Sequence, residues 1–93
     1  SIEHASWEDG VLTVWAKSSE GERDPPPTLM VSIGEPSYPG INPATVTSEI
    51  LLGEMTWKNK DLYEIKLPYE SYIEGWIVTV SSSLGGAYNV EIK

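Results

Sequence analysis

The chain has no cysteine, no phenylalanine and one histidine, and it carries only 6 lysines and arginines in 93 residues. Each shortage closes off a class of chemistry. Without cysteine there is no disulfide framework, no thiol nucleophile and no thiolate metal site. The few cations face 14 acidic residues, a formal net charge of −8. Nucleic-acid binding depends on clustered Lys and Arg against phosphate, and attraction to anionic membranes needs polybasic segments, so both are excluded as partners. No apolar run reaches the 18 or so residues that a membrane helix requires, so no membrane insertion is expected. No signal peptide is visible, and a chain opening on Ser1 rather than Met reads as an excised or processed fragment. The length fits a single domain spanning residues 1–93.

What is present points to strands. Gly and Pro together supply 8 and 7 residues, more punctuation than a helical protein tolerates, and no window sustains apolar residues at i, i+3, i+4 and i+7. Four Trp and five Tyr take over the packing that phenylalanine would do, each ring able to bury roughly 150–250 Å². Ile2–Trp7 reads as an edge strand whose apolar phase slips between Ile2 and Ala5, as a bulge requires. Asp9-Gly10 is a tight-turn signal leading into Val11–Lys17, with Leu12, Val14 and Ala16 on one face and Val11, Thr13 and Trp15 on the other.

Farther along, Ser18–Pro27 is a polar loop ending in three prolines, which stiffen the chain and cannot lie in a central strand. Thr28–Gly34 alternates, with Leu29, Val31 and Ile33 on one face. Glu35–Thr47 reads as a long loop crossing from one sheet edge to the other. Ser48–Trp57 reads as a strand with a bend or bulge at Gly53. Within it Ser48–Met55 is the stretch most open to a helical reading, but Gly53, the short length and the following Trp favour the strand. Leu62–Leu67 puts Tyr63, Ile65 and Leu67 on one face. Trp76–Ser82 and Ala87–Lys93 flank a Gly85-Gly86 hairpin. The expected architecture is all-β: a two-sheet antiparallel sandwich of about seven strands, each sheet burying one face. A barrel such as the OB-fold is the alternative, but the basic nucleic-acid face that usually goes with it is missing.

Ala5-Ser6-Trp7 with Leu12-Thr13-Val14, and the run Ile77-Val78-Thr79-Val80-Ser81-Ser82-Ser83-Leu84-Gly85-Gly86, resemble immunoglobulin-like or fibronectin-III-like accessory domains of secreted or surface proteins in bacteria and archaea. The chain lacks the Cys pair around a Trp of antibody-type domains and the Asp-rich junctions of cadherins. The resemblance implies a spacer, adhesion or assembly module outside the cell, at its surface or in the periplasm. Its implied partners are other domains of the same chain or a separate protein.

Candidate chemistry is sparse. His4 sits in an edge strand with no nucleophile elbow near it and reads as solvent-facing. Glu20, Glu22 and Asp24 share a loop but lack the closely spaced Asp or Asn ligands of a calcium loop, so they read as solvated acids. Glu8 with Asp9, and Glu70 with Glu74, read the same way, and no pair stands out as a glycosidase couple. No cofactor motif is present, and the chain is read as non-enzymatic. The aromatics remain. Trp15, out of phase with its strand's apolar face, is a candidate for stacking on a polysaccharide ligand, together with Trp57 and, in the proline-rich loop, Tyr38. Trp7 and Trp76 are assigned to the core.

Overall fold

The computed structural model describes residues 1–36 and 46–93. Eight strands run in chain order: β1 (Ile2–Glu8), β2 (Val11–Lys17), β3 (Leu29–Pro36), β4 (Val46–Glu54), β5 (Thr56–Asn59), β6 (Leu62–Pro68), β7 (Ile77–Ser82) and β8 (Ala87–Glu91). They form two antiparallel sheets, ordered β1-β2-β6-β5 and β4-β3-β7-β8, with no helix among the described residues. The fold is an all-β sandwich. Its strand order is consistent with the immunoglobulin-like pattern, in which the first, second, fifth and fourth strands of the seven-strand version share one layer; β4 adds a fourth strand to the other layer.

Alternation places the core where the sequence puts it. Leu12, Val14 and Ala16 from β2 meet Leu29, Val31 and Ile33 from β3, with Val78 and Val80 from β7 and Tyr63 from β6. Trp7 and Trp76 are partly buried and pack against this cluster. The phase slip in β1 is a register shift between Ile2 and His4. At the β1–β2 turn, Asp9 and Gly10 both adopt positive φ, at 51° and 75°. Two-residue hairpins of this hand need that geometry, and Gly reaches it without steric cost.

Two expectations are corrected. Ser48–Trp57 is not one strand: the chain leaves β4 at Glu54, buries Met55, and starts β5 in the opposite sheet at Thr56. The split brings the strands among the described residues to eight, in line with the about seven expected. The Met55 amide donates to the Leu29 carbonyl at 2.8 Å, which holds the switch point against β3. The ends of the expected Glu35–Thr47 loop belong to strands instead, Glu35 and Pro36 to β3 and Val46 and Thr47 to β4. These two strands are neighbours in one sheet with Pro36 paired to Val46, while 37–45 lie outside the described residues. Gly53 does mark a bulge, since Val31 and Ser32 pair with Gly53 and Leu51 and skip Leu52. Tyr38 lies outside the described residues.

The seam between the sheets is closed on one side by the last residue. The Lys93 amide donates to the Ala5 carbonyl at 3.1 Å, and the Trp7 amide donates to the Lys93 carbonyl at 3.2 Å. Two bonds from one residue straddling Ser6 are the pattern of a parallel pair. The end of the chain therefore runs alongside β1 in the same direction.

Candidate functional site

The outer face of the first sheet carries an aromatic-polar cluster around Trp15, one of the expected ligand-contact residues. Register sets His4 opposite Trp15, and Trp15 opposite Glu64. Residues directly opposite on neighbouring antiparallel strands share a face, so the three form a row across β1, β2 and β6. The His4 and Trp15 rings lie 4.8 Å apart at 36°. The Trp15 indole N–H donates to Glu64 Oε2 at 2.8 Å, and Glu64 Oε1 lies 3.9 Å from Lys58 Nζ. His4 Nε2 is 2.9 Å from Ser6 Oγ. Trp15 keeps 43% of its surface exposed.

Trp57 is equally exposed at 43%, but it sits on the other side. It pairs with Tyr63, which pairs with Ala16, and both of those are buried in the core. Trp57 thus occupies the inward face at the sheet's edge, its indole N–H given to the Lys60 carbonyl at 3.0 Å. The structure exposes both predicted tryptophans and does not bring them together. A flat sugar platform needs coplanar rings on one face, and here only Trp15 lies on the outer one.

Sequence reasoning passed over Glu64 and Lys58 as neighbours of Trp15. Alternation in Leu62–Leu67 does assign Glu64 to the wet face. Nothing local, however, says that β6 rather than another strand lies beside β2.

A second feature is the open end of the seam. Where β1 and β8 diverge, a cleft of roughly 470 Å³ reaches the core residues Ala16, Leu29 and Val80, with Tyr88 on its wall and Lys17 and Arg23 on its rim. Tyr88 pairs with Val80 and so belongs to the inward face, yet it remains exposed because the cleft leaves it uncovered. Both rim cations already have carboxylate neighbours, Lys17 with Glu3 at 3.8 Å and Arg23 with Glu20 at 3.6 Å. Such exposed pairs contribute on the order of 0–1 kcal/mol.

The remaining acids stay apart. Glu22 and Asp24 are exposed in the Ser18–Thr28 loop, and no group of three or more His, Cys, Asp or Glu among the described residues could hold a metal ion. Two tyrosines titrate unusually. Burial pushes the Tyr63 phenol above 10.0, and its hydroxyl donates to the Pro27 carbonyl at 2.7 Å. Tyr72, largely exposed, is also raised, chiefly by the nearby Glu74 charge. Its other neighbour is Trp7, edge-on at 5.4 Å, and the Trp7 indole N–H in turn donates to the Tyr69 carbonyl at 2.8 Å. These contacts tie the Pro68–Trp76 segment to β1, which is structural work. Comparison with family models, curated proteins and solved structures finds no match.

Proposed function

We propose that this chain is a non-catalytic spacer module of a larger exported protein, an immunoglobulin-like sandwich that carries the polypeptide from one end of itself to the other. The path of the backbone supports this most. Ser1 is held to Lys17, its amine donating to the Lys17 carbonyl at 2.8 Å, at the end where the β7–β8 hairpin also lies. Lys93 is held beside Ser6, in the same direction as β1. Five strand residues separate those two levels, about 17 Å along the sheet. Neighbouring segments would therefore attach toward opposite ends of a body measuring 38 × 28 × 18 Å. The thin dimension suits two layers stacked about 10 Å apart, and the long one suits the strand direction. Placement outside the cell, at its surface or in the periplasm rests on the Ile77–Gly86 resemblance.

A tandem of two copies joined Lys93 to Ser1 tests the spacer reading by small-angle X-ray scattering. The expected maximum dimension is close to twice that of one copy. A tandem no longer than one copy would refute it.

The polysaccharide alternative has exposed Trp15 in its favour. Tryptophan fluorescence titrated with a panel of soluble polysaccharides separates the two readings. A spacer leaves the emission unchanged, whereas quenching lost in Trp15→Phe would favour sugar binding.

A further inference from the structure

Among the described residues, three of the four sheet edges are guarded and the fourth, β4, is less so. β1 is bulged and covered by the Lys93 bonds. β5 is four residues long, bulged at Lys58 and followed by Lys60. β8 turns its outer edge toward β1 across the seam. Short edges, bulges and lysines are the usual means of preventing strand addition. β4 has nine residues, contains no Lys or Pro, and is paired on one side only. Its protective devices are the acids Glu49 and Glu54 and two register shifts against β3, one at Leu52 and one between Val46 and Glu49.

The face pattern of β4 is specific. Glu49 pairs with Gly34, Leu51 with Ser32 and Glu54 with Met30, so all three lie on the outer face: carboxylate, apolar, carboxylate. Leu51 is 68% exposed, and Ile50, opposite Ile33 on the inward side, is 41% exposed. Large aliphatic side chains left open on both faces of an edge are the mark of a strand-pairing site.

We propose that β4 is an interaction edge that accepts an extended segment of a basic partner protein. That segment would present Lys or Arg, an apolar residue, then Lys or Arg on one face, with β-branched residues on the other. Charge decides the occupant. A second copy of this chain would bring another net −8 and further glutamates to the edge, whereas opposite charges facing each other across strands stabilise pairing. The contact is lateral, so it stands or falls separately from the end-to-end spacer reading.

The probe is a capped peptide, Thr-Lys-Val-Leu-Val-Lys-Thr, titrated into the whole chain and followed by amide chemical shifts. Two further peptides serve as controls: the Glu-for-Lys version, and a version of equal charge with Pro replacing the central Leu. The expected result is shifts centred on Ser48–Leu51, with both controls bound about tenfold more weakly or worse. Leu51→Lys, at an exposed position that the fold does not depend on, should weaken the Lys peptide by a similar factor. Three results would overturn the proposal: no shift at β4 with the Lys peptide, shifts centred instead on Glu70 and Glu74, or undiminished binding by the proline control. Sedimentation revealing a dimer that Leu51→Lys dissolves would also overturn it, by assigning the edge to a second copy.

Discussion

Tyr63 carries a hydroxyl into the interior, where its ring fills space among Leu12, Val14 and Ile33 and its oxygen reaches the Pro27 carbonyl. That bond fastens the proline-ended loop to β6, the Tyr63 hydroxyl donating to the buried carbonyl of Pro27. Burial disfavours the phenolate, so the folded protein keeps this proton above pH 10.0 while the unfolded chain loses it near that value. The unfolded state then binds fewer protons, so stability holds below pH 10 and declines as pH rises toward the folded value. An absorbance titration should find a lagging tyrosine that Tyr63→Phe removes. The same substitution should cost about 1–2 kcal/mol by orphaning the Pro27 carbonyl. Tyr72 lags as well, but for a different reason, so Glu74→Gln should return its titration toward the ordinary range. A Tyr63→Phe variant with unchanged stability and titration would contradict the assignment.

At the scale of elements, the Ser18–Thr28 loop lies against the β5–β6 turn with no room to spare. A Cβ built on Gly21 would come within 2.6 Å of both the Asp61 Cα and the Lys60 carbonyl oxygen. These are backbone atoms, so the clash is relieved only by moving one segment off the other. The bond from the Ser18 amide to the Asp61 carbonyl, 2.9 Å, would stretch with it. Gly21→Ala should therefore destabilise by about 1–3 kcal/mol, read as a lower urea midpoint with an unchanged slope; a neutral result would mean the two segments are not in contact.

Much at this scale was legible beforehand. Alternation located the buried faces of β2, β3 and β6, and Asp9-Gly10 gave the first turn. It also showed Trp15 pointing outward. Alternation does not say which strand lies alongside which. The switch at Met55 was hidden for that reason: Ile50, Leu52 and Met55 look like one apolar strand whether or not the chain changes sheets. The faces of Trp15 and Trp57 were hidden in the same way. Their opposition depends on register between strands some forty residues apart, set by tertiary pairing rather than by local spacing.

For the whole molecule, what matters is that chain neighbours part company. β2 and β3 follow one another yet lie in different sheets, as do β4 and β5, and β6 and β7. The layers are joined by the long connections and by the Met55 switch, and Lys93 sews the seam closed against β1. This arrangement places Ser1 beside the β7–β8 hairpin and Lys93 beside Ser6, and among the described residues it leaves β4 paired on one side only. A single meandering sheet built from the same strands would supply neither property. Cross-strand proton contacts in a nuclear magnetic resonance spectrum separate these two arrangements directly. The sandwich requires contacts between Val14 and Ile65 and between Val31 and Val80, with none linking the backbones of β2 and β3. A ladder of backbone contacts joining β2 to β3 would contradict it.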